Sequence, residues 1–272
     1  MNNHQPVAYL LMAIVTVLAL FPLFWTVSTS FKTDQELFTR PLYWLPRVPT
    51  LSNYAEAFGQ NGLRVISNGL IVAFGGTGLA LLLGFPAAYT MSRYRKRRFA
   101  VFIVPLIMRA SPPVVLAIPL LVLYSWFGLA DTTQGLTLVY GATTVFYIVW
   151  MIKPFIDAVP RELEDAAMVD GVPRWKLPFN LILPMVVGGV VVSTTFVFIL
   201  NWTEYVLALS LTSHEARTAA LHMAGMGATA GDWVDQGPAA ALSAISLVPF
   251  LGFAYYLQKQ LVRTFFVGVV GK

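Results

Sequence analysis

Two ionisable residues and a small polar and aromatic group stand out because they lie within or beside long apolar stretches. Arg109 and Glu204 are the ionisable pair. If its stretch crosses a membrane, Arg109 costs about 2.5–3.5 kcal/mol on insertion scales, so it should face a cavity or a partner. Asn201, Trp202 and Tyr205 add hydrogen-bonding groups and flat aromatic faces beside Glu204. These five residues are the candidates for contact with a ligand.

The familiar catalytic and nucleotide-binding motifs do not occur. The sequence has no His-Glu-x-x-His, no Gly-x-Ser-x-Gly and no Gly-x4-Gly-Lys-Ser/Thr. It has no cysteine, which excludes a disulfide scaffold and a thiolate metal site. His4, His214 and His222 lie at or outside the apolar stretches, without a matching set of metal ligands. We therefore expect no catalytic centre, cofactor or metal site in this chain.

The composition indicates that much of the chain is surrounded by lipid. Of the 272 residues 57% are hydrophobic and only 11% are charged, and the mean hydropathy is +0.69. Soluble domains contain roughly a quarter charged residues. This shortage of charge excludes a disordered chain, a nucleic-acid binder and an ordinary cytosolic enzyme.

Uncharged runs divide the chain into six predicted membrane-spanning helices. Each run has about 20 or more residues, enough to cross roughly 30 Å of hydrocarbon as a helix. A lipid-facing β-strand would instead alternate in polarity over about ten residues. We predict an all-α polytopic membrane protein, with residues 1–272 forming one transmembrane domain whose spans cover residues 7–31, 65–92, 99–127, 132–153, 177–209 and 236–258.

Several glycines in the second span are predicted to mark close contacts between helices. Small residues let helix backbones approach each other within a membrane. The glycines concerned are Gly75, Gly76, Gly78 and Gly84.

The basic residues predict the orientation of the spans. With both termini inside, twelve of the 18 Lys and Arg residues fall on the inner side, five fall outside, and Arg109 lies in the membrane. This bias follows the positive-inside rule. The cluster at residues 93–98 is its strongest determinant.

The inner loop between the fourth and fifth spans, residues 157–180, reads as a short amphipathic helix. Pro160 suits a helix start, and the acidic residues that follow favour the positive end of the helix dipole. Gly171 suits a left-handed residue at the C-terminal end. One face carries residues at three- and four-residue spacing, with small alanines at its centre: Leu163, Ala166, Ala167 and Asp170.

This loop resembles the EAA signature of permease subunits of binding-protein-dependent ABC importers. The signature is Glu-Ala-Ala, three residues, Gly, nine residues and Ile-x-Leu-Pro. Asp165-Ala166-Ala167, Gly171 and Leu181-Ile182-Leu183-Pro184 keep this spacing, with Asp165 in place of Glu and Leu181 in place of Ile.

Three further segments resemble the carbohydrate, or maltose-type, group of this family. They are the predicted outer turn 127–136, Phe-Gly-Leu-Ala-Asp-Thr-Thr-Gln-Gly-Leu, the element 201–205, Asn-Trp-Thr-Glu-Tyr, and the C-terminal tail 257–272. The resemblance thus extends over nearly the whole chain.

The resemblance implies a type I importer permease with six transmembrane helices and a cytoplasmic coupling helix, in a prokaryotic plasma (inner) membrane. Its partners would be a companion permease, two ATPase subunits and an extracytoplasmic solute-binding protein. ATP and magnesium would bind to the ATPase, and this chain would not itself be catalytic. The residues expected to couple to the ATPase are Glu164, Asp165, Ala166, Ala167, Asp170, Gly171, Leu181 and Pro184.

The resemblance also implies a sugar or related polyol as substrate. Neutral polyols are bound by hydrogen-bonding groups and aromatic faces, so the expected pathway residues are Asn201, Trp202, Glu204, Tyr205 and Arg109. The sequence does not decide whether this subunit or its companion holds the substrate. It also leaves open whether the outer segments 32–62 and 212–235 dock the binding protein or pack on the helix ends. The alternative function is an ion-coupled secondary transporter or another polytopic membrane protein.

Overall fold

The computed structural model describes residues 5–59, 61–94, 103, 106–107, 112–226 and 236–270. All regular secondary structure in these ranges is helical. The prediction of an all-α protein is thereby confirmed. The helices are α1 Gln5–Ser30, α2 Asp34–Phe38, α3 Ser52–Gly59, α4 Gly62–Arg93, α5 Pro113–Trp126, α6 Thr133–Asp157, α7 Arg161–Val169, α8 Leu183–Met185, α9 Val187–Trp202, α10 Val206–Leu211, α11 Ala219–Met226 and α12 Gln236–Val270.

Four helices of the described residues are long and apolar enough to cross a membrane. These segments are Ala8–Ser30 of α1, all of α4, all of α6 and Gln236–Phe253 of α12. A fifth candidate is formed by Pro178–Met185 together with α9. The apolar helix α5 has 14 residues. Because the predicted third span, 99–127, lies partly outside the described residues, the count of six spans stays a prediction.

The structure divides the predicted fifth span, 177–209, into several pieces. Residues Pro178–Ile182 form a π-helical turn that leads into α8. The axis then bends by 83° before α9 begins. Pro184 removes a backbone donor at the bend, and Val186 leaves the helical backbone conformation. Hydropathy alone detects the apolar run but not its change of direction.

By their internal packing the described residues fall into two compact units. One unit comprises the described part of Met1–Ile66 and Leu221–Pro249, and the other comprises the described part of Ser67–Ala220 and Phe250–Lys272. In the first unit, the predicted outer segment 32–62 packs on the end of α1. Asn53 Nδ2 donates hydrogen bonds to the carbonyls of Ser30 and Lys32, at 3.0 and 2.8 Å.

The core of the second unit lies between α4, α6 and α9, where glycines permit close packing. A Cβ atom on Gly75, Gly76 or Gly84 would approach side chains of α6 to 2.8, 3.0 and 2.6 Å. The prediction of close helix contacts is confirmed at these three positions. It is wrong for Gly78, where a Cβ atom would meet nothing within 4 Å.

Candidate functional site

Helix α7 begins and ends where the sequence predicts. Its N-cap is Pro160, and Glu162 and Glu164 occupy the first turn. At its C-terminal end Gly171 has a φ of +89°. The Gly171 N–H donates to the Met168 carbonyl at 3.1 Å, and the Val172 N–H donates to the Ala167 carbonyl at 2.9 Å. These two bonds form a Schellman motif, whose left-handed residue is usually glycine.

Glu164 points into its own chain, unlike the other acidic residues of the predicted coupling set. It is only 6% exposed. Its Oε2 accepts a hydrogen bond from Tyr89 Oη at 2.6 Å, and its Oε1 accepts one from Arg93 Nε at 2.5 Å. Tyr89 and Arg93 lie in the last two turns of α4. Glu164 therefore anchors α7 to α4.

The rest of the predicted coupling set lies nearer the surface. Ala167 and Leu181 are half-buried, whereas the other members are exposed: Asp165, Ala166, Asp170, Gly171 and Pro184. Three large apolar side chains beside them are also exposed, Leu163 at 42%, Val169 at 88% and Trp175 at 70%. We call these three residues the apolar patch. Large apolar side chains that are exposed on and directly after one short helix are candidates for contact with a partner.

A second set of contacts joins α4, the end of α6 and the start of α7. Ser92 Oγ donates a hydrogen bond to Asp157 Oδ1 at 2.5 Å. Lys153 forms an ion pair with the same carboxylate. Arg161 Nη2 donates to the backbone carbonyl of Ser92 at 3.3 Å. A side-chain hydrogen bond therefore joins α4 to the end of α6, and Arg161 of α7 binds the backbone at the end of α4.

The structure brings together three of the five predicted pathway residues. Asn201, Glu204 and Tyr205 line a cavity of about 320 Å³. Trp202 lies apart from this lining, and its ring stacks on Phe198 at an interplanar angle of 10°. The fifth residue, Arg109, lies outside the described residues.

Hydrogen bonds within the chain hold two polar groups of this cavity, Asn201 and Glu204. Asn201 is 4% exposed, and its Nδ2 donates to Thr77 Oγ1 at 3.2 Å. The Glu204 carboxylate accepts hydrogen bonds from the N–H groups of Leu207, at 3.0 and 3.2 Å, and Ala208, at 3.2 Å. Glu204 thus satisfies free backbone donors at the start of α10.

The wall of the cavity that α6 forms is not among the predicted pathway residues. This wall includes Thr143, Thr144 and Tyr147 of α6. The two hydroxyls donate to carbonyls four residues earlier, at 2.9 and 2.6 Å, which leaves their lone pairs able to accept. Adjacent threonines one turn before a tyrosine in an apolar span were the available signal.

On the segment between α5 and α6, Asp131 organises a loop that follows α10. Its carboxylate accepts hydrogen bonds from the N–H groups of four consecutive residues, Ser213, His214, Glu215 and Ala216. Desolvation raises the pKa of Asp131, but these four donors outweigh it and hold the pKa well below its ordinary value. Asn68 Nδ2 adds bonds to the carbonyls of Glu215 and Arg217, at 2.8 and 3.1 Å.

Within the described residues, no group of three or more His, Cys, Asp or Glu side chains is arranged to hold a metal ion.

Comparison with solved structures shows a shared fold. The chain superimposes on a chain of the crystal structure of a bacterial ABC transporter involved in the import of the acidic polysaccharide alginate, with a TM-score of 0.77 and 19% identity. The match covers 94% of this chain and 95% of the other.

Relatives of known name are similar over most of their length. The sulfoquinovosyl glycerol transport system permease protein SmoH of Agrobacterium fabrum is 33% identical over 217 residues, 79% of this chain and 76% of that protein. The trehalose/maltose transport system permease protein MalG of Thermococcus litoralis is 29% identical over 262 residues, 94% of this chain and 93% of that protein. Residues 80–266 match the profile of the binding-protein-dependent transport system inner membrane component family. The chain therefore belongs to this family of multi-pass membrane permeases.

Proposed function

We propose that this chain is a non-catalytic permease subunit of an ATP-driven importer for a sugar or related polyol, and that it forms half of the translocation pathway. Relatives named for sulfoquinovosyl glycerol and for trehalose and maltose support the substrate class. A companion permease, two ATPase subunits that bind ATP and magnesium, and a solute-binding protein would complete the importer. The family match does not favour an ion-coupled secondary transporter.

The proposal rests mainly on the structure of α7. A separate ATPase subunit can move the membrane helices of this chain only through an element that contacts both the ATPase and those helices. Helix α7 has defined ends at Pro160 and Gly171, an internal anchor at Glu164 and an exposed outer face. Along that face, small Ala166 permits close approach and the apolar patch offers area to bury.

The coupling face is therefore assigned to Asp165, Ala166, Ala167, Asp170 and Gly171, with Leu181 and Pro184 at the α8 end. Glu164 contributes by holding the helix in place. With six spans, this assignment puts α7 and both chain termini on the cytoplasmic side of the plasma membrane. The excess of basic residues on that side supports the orientation.

The cavity of about 320 Å³ is the proposed place of substrate contact in this subunit. Its lining combines threonine hydroxyls, the amide of Asn201, the carboxylate of Glu204 and the rings of Tyr147 and Tyr205. Hydrogen-bonding groups beside flat rings suit a polyol. The volume lies at the lower end of the range for small-molecule sites.

Replacement of an exposed alanine tests the coupling face. Ala166→Arg places a long charged side chain on the face of α7, whereas Ala55→Arg makes the same change at an exposed position of α3. The native complex, purified through a tag on this chain, is tested for retained ATPase subunits. In proteoliposomes with the binding protein, ATP hydrolysis is measured together with uptake of radiolabelled monosaccharides, oligosaccharides and polyols.

We expect the Ala166→Arg complex either to lose its ATPase subunits or to hydrolyse ATP without substrate uptake. The Ala55→Arg complex should keep its ATPase subunits. Normal coupled uptake by Ala166→Arg would overturn the assignment of the face. Uptake by the wild type that persists without an ATPase subunit would overturn the proposed function itself.

A further inference from the structure

The anchor at Glu164 joins α7 to a membrane helix far away in the sequence. Its two carboxylate oxygens have separate donors, Tyr89 Oη at 2.6 Å and Arg93 Nε at 2.5 Å. The side chains of Arg93 and Glu164 are each only 8% exposed. The carboxylate is thus enclosed and held from two sides.

Arg93 also binds the segment that leads into α7. Its Nη2 donates to the carbonyl of Val159 at 2.9 Å. One guanidinium therefore holds both the residue before the N-cap and a side chain in the first turn. In return, Arg161 Nη2 donates to the carbonyls of Ser92 and Arg93, at 3.3 and 3.5 Å. The end of α4 thus donates hydrogen bonds to the start of α7, and the start of α7 donates hydrogen bonds to the end of α4.

The chain itself gives α7 covalent connections to α6 and to α8, but none to α4. Residues 158–160 lead from α6 into α7, and residues 170–182 lead from α7 towards α8. A displacement of α7 would therefore reach α6 and α9 through the backbone. To reach α4 at this point, it must act through side-chain contacts.

We propose that Arg93, Glu164 and Tyr89 form a permanent link that makes α4 move with α7 during transport. The inference rests on the proposed function, and it gives these three residues a positioning role within it. Separating a buried ion pair is costly in free energy because it leaves a buried charge without its partner. The link therefore resists separation of α4 from α7. A push on α7 then moves two long helices, α4 and α6, together.

Glutamine at position 164 isolates the role of the carboxylate. Glu164→Gln keeps the side-chain shape but turns an amide NH₂ towards one of two donors, Tyr89 Oη or Arg93 Nε. Glu162→Gln makes the same change in the same turn at an exposed residue outside the proposed coupling set. Tyr89→Phe removes one donor and leaves the ion pair.

The readout is the number of substrate molecules taken up for each ATP hydrolysed by the reconstituted complex. Mutations between coupled sites change coupling by factors of about 2 to 30. We expect Glu164→Gln to lower the ratio about tenfold while ATPase subunits still co-purify, Tyr89→Phe to lower it about twofold, and Glu162→Gln to leave it unchanged. An unchanged ratio in Glu164→Gln, with a wild type that couples hydrolysis to uptake, overturns the link and leaves the proposed function standing.

A cross-link tests the same inference when Glu164→Gln does not accumulate. The chain has no natural cysteine, so Arg93→Cys with Glu164→Cys gives a unique thiol pair. A bifunctional thiol reagent fills the length of the two lost side chains. A permanent link predicts poor coupling before cross-linking and restored coupling afterwards. Uptake that stays blocked after cross-linking would show that the contact must open during the cycle, which overturns the proposal.

Discussion

Replacing Asp131 with asparagine removes one carboxylate oxygen and the charge while keeping the size of the side chain. Asparagine also tolerates the left-handed backbone found here, where φ is +54°. Oδ1 accepts from the N–H groups of Ser213, Glu215 and Ala216, and Oδ2 accepts from those of His214 and Glu215 and from the Ser213 hydroxyl. The substitution therefore removes about half of this network.

The expected cost follows from the number of bonds lost. Hydrogen bonds to charged groups contribute about 1.5–3 kcal/mol each, but Ser213, His214 and Glu215 are exposed, so their donors regain water. Two or three lost bonds at roughly 1 kcal/mol each give about 2 kcal/mol of local stability. Since 1.4 kcal/mol is a factor of ten, the loop 213–216 should open roughly 30-fold more often.

Hydrogen exchange of the backbone amides at residues 213–216 measures this opening in the purified protein. Asp34→Asn, in the first turn of α2, is the matched control and should leave the exchange of the loop unchanged. A change of less than about twofold in Asp131→Asn would show that the carboxylate does not hold the loop.

The same carboxylate predicts a dependence on pH. Its folded pKa lies below the ordinary value of 3.8, so its contribution to stability is fully present above that value and is lost as the pH falls through the folded pKa. Loop protection, corrected for the intrinsic rate of exchange, should stay constant from about pH 5 to 8 and fall below about pH 4. In Asp131→Asn this fall should disappear.

Three further outcomes follow from the geometry. Gly171→Ala forces an alanine into a φ of +89° with open space around it, so we expect a loss of about 1–2 kcal/mol in the stability of the α7 end, measured by amide exchange. Gly84→Ala places a Cβ atom 2.6 Å from Ile148 Cγ2 and should lower thermal stability by about 1–3 kcal/mol, whereas Gly78→Ala on the same helix should not. Tyr147→Phe removes a hydroxyl from the cavity and should raise the KM for the sugar about three- to tenfold with little change in assembly; unchanged uptake kinetics would argue against substrate contact there.

The bounds of α7 could be predicted because local chemistry determines them. Pro160 has no backbone N–H and so cannot donate a hydrogen bond to a preceding helical turn. Gly171 adopts the left-handed conformation that ends the helix. These signals lie within a dozen residues. The long apolar helices could also be predicted from the local sequence, because a continuous apolar run indicates a segment that is buried in lipid or in protein.

The inward position of Glu164 could not be predicted from the pattern of α7. Its partners, Arg93 and Tyr89, lie 71 and 75 residues earlier in the chain. The sequence shows which residues share a helical face, but tertiary packing decides which face turns towards the chain. The break in the fifth span was missed for another reason, because a count of apolar residues takes no account of Pro184.

The cavity was predicted from one side only. The polar and aromatic group at residues 201–205 contrasts with the apolar run before it and was therefore noticed. Thr143 and Thr144 donate to their own helix backbone, as threonines in membrane helices commonly do. Apart from their position one turn before Tyr147, they do not differ in the sequence from threonines that only satisfy the helix.

Cross-linking from the exposed face of α7 tests whether this helix contacts the ATPase subunit. In a chain without natural cysteines, Val169→Cys places a thiol at the most exposed position of the apolar patch, and Trp126→Cys places one at the exposed end of α5, 79% exposed in the native residue. A thiol-to-amine cross-linker is applied to the complex in native membranes. If α7 docks on the ATPase, Val169→Cys forms a covalent adduct with the nucleotide-hydrolysing subunit and Trp126→Cys does not. An adduct absent from Val169→Cys, or formed equally from both positions, would show that α7 does not form this contact.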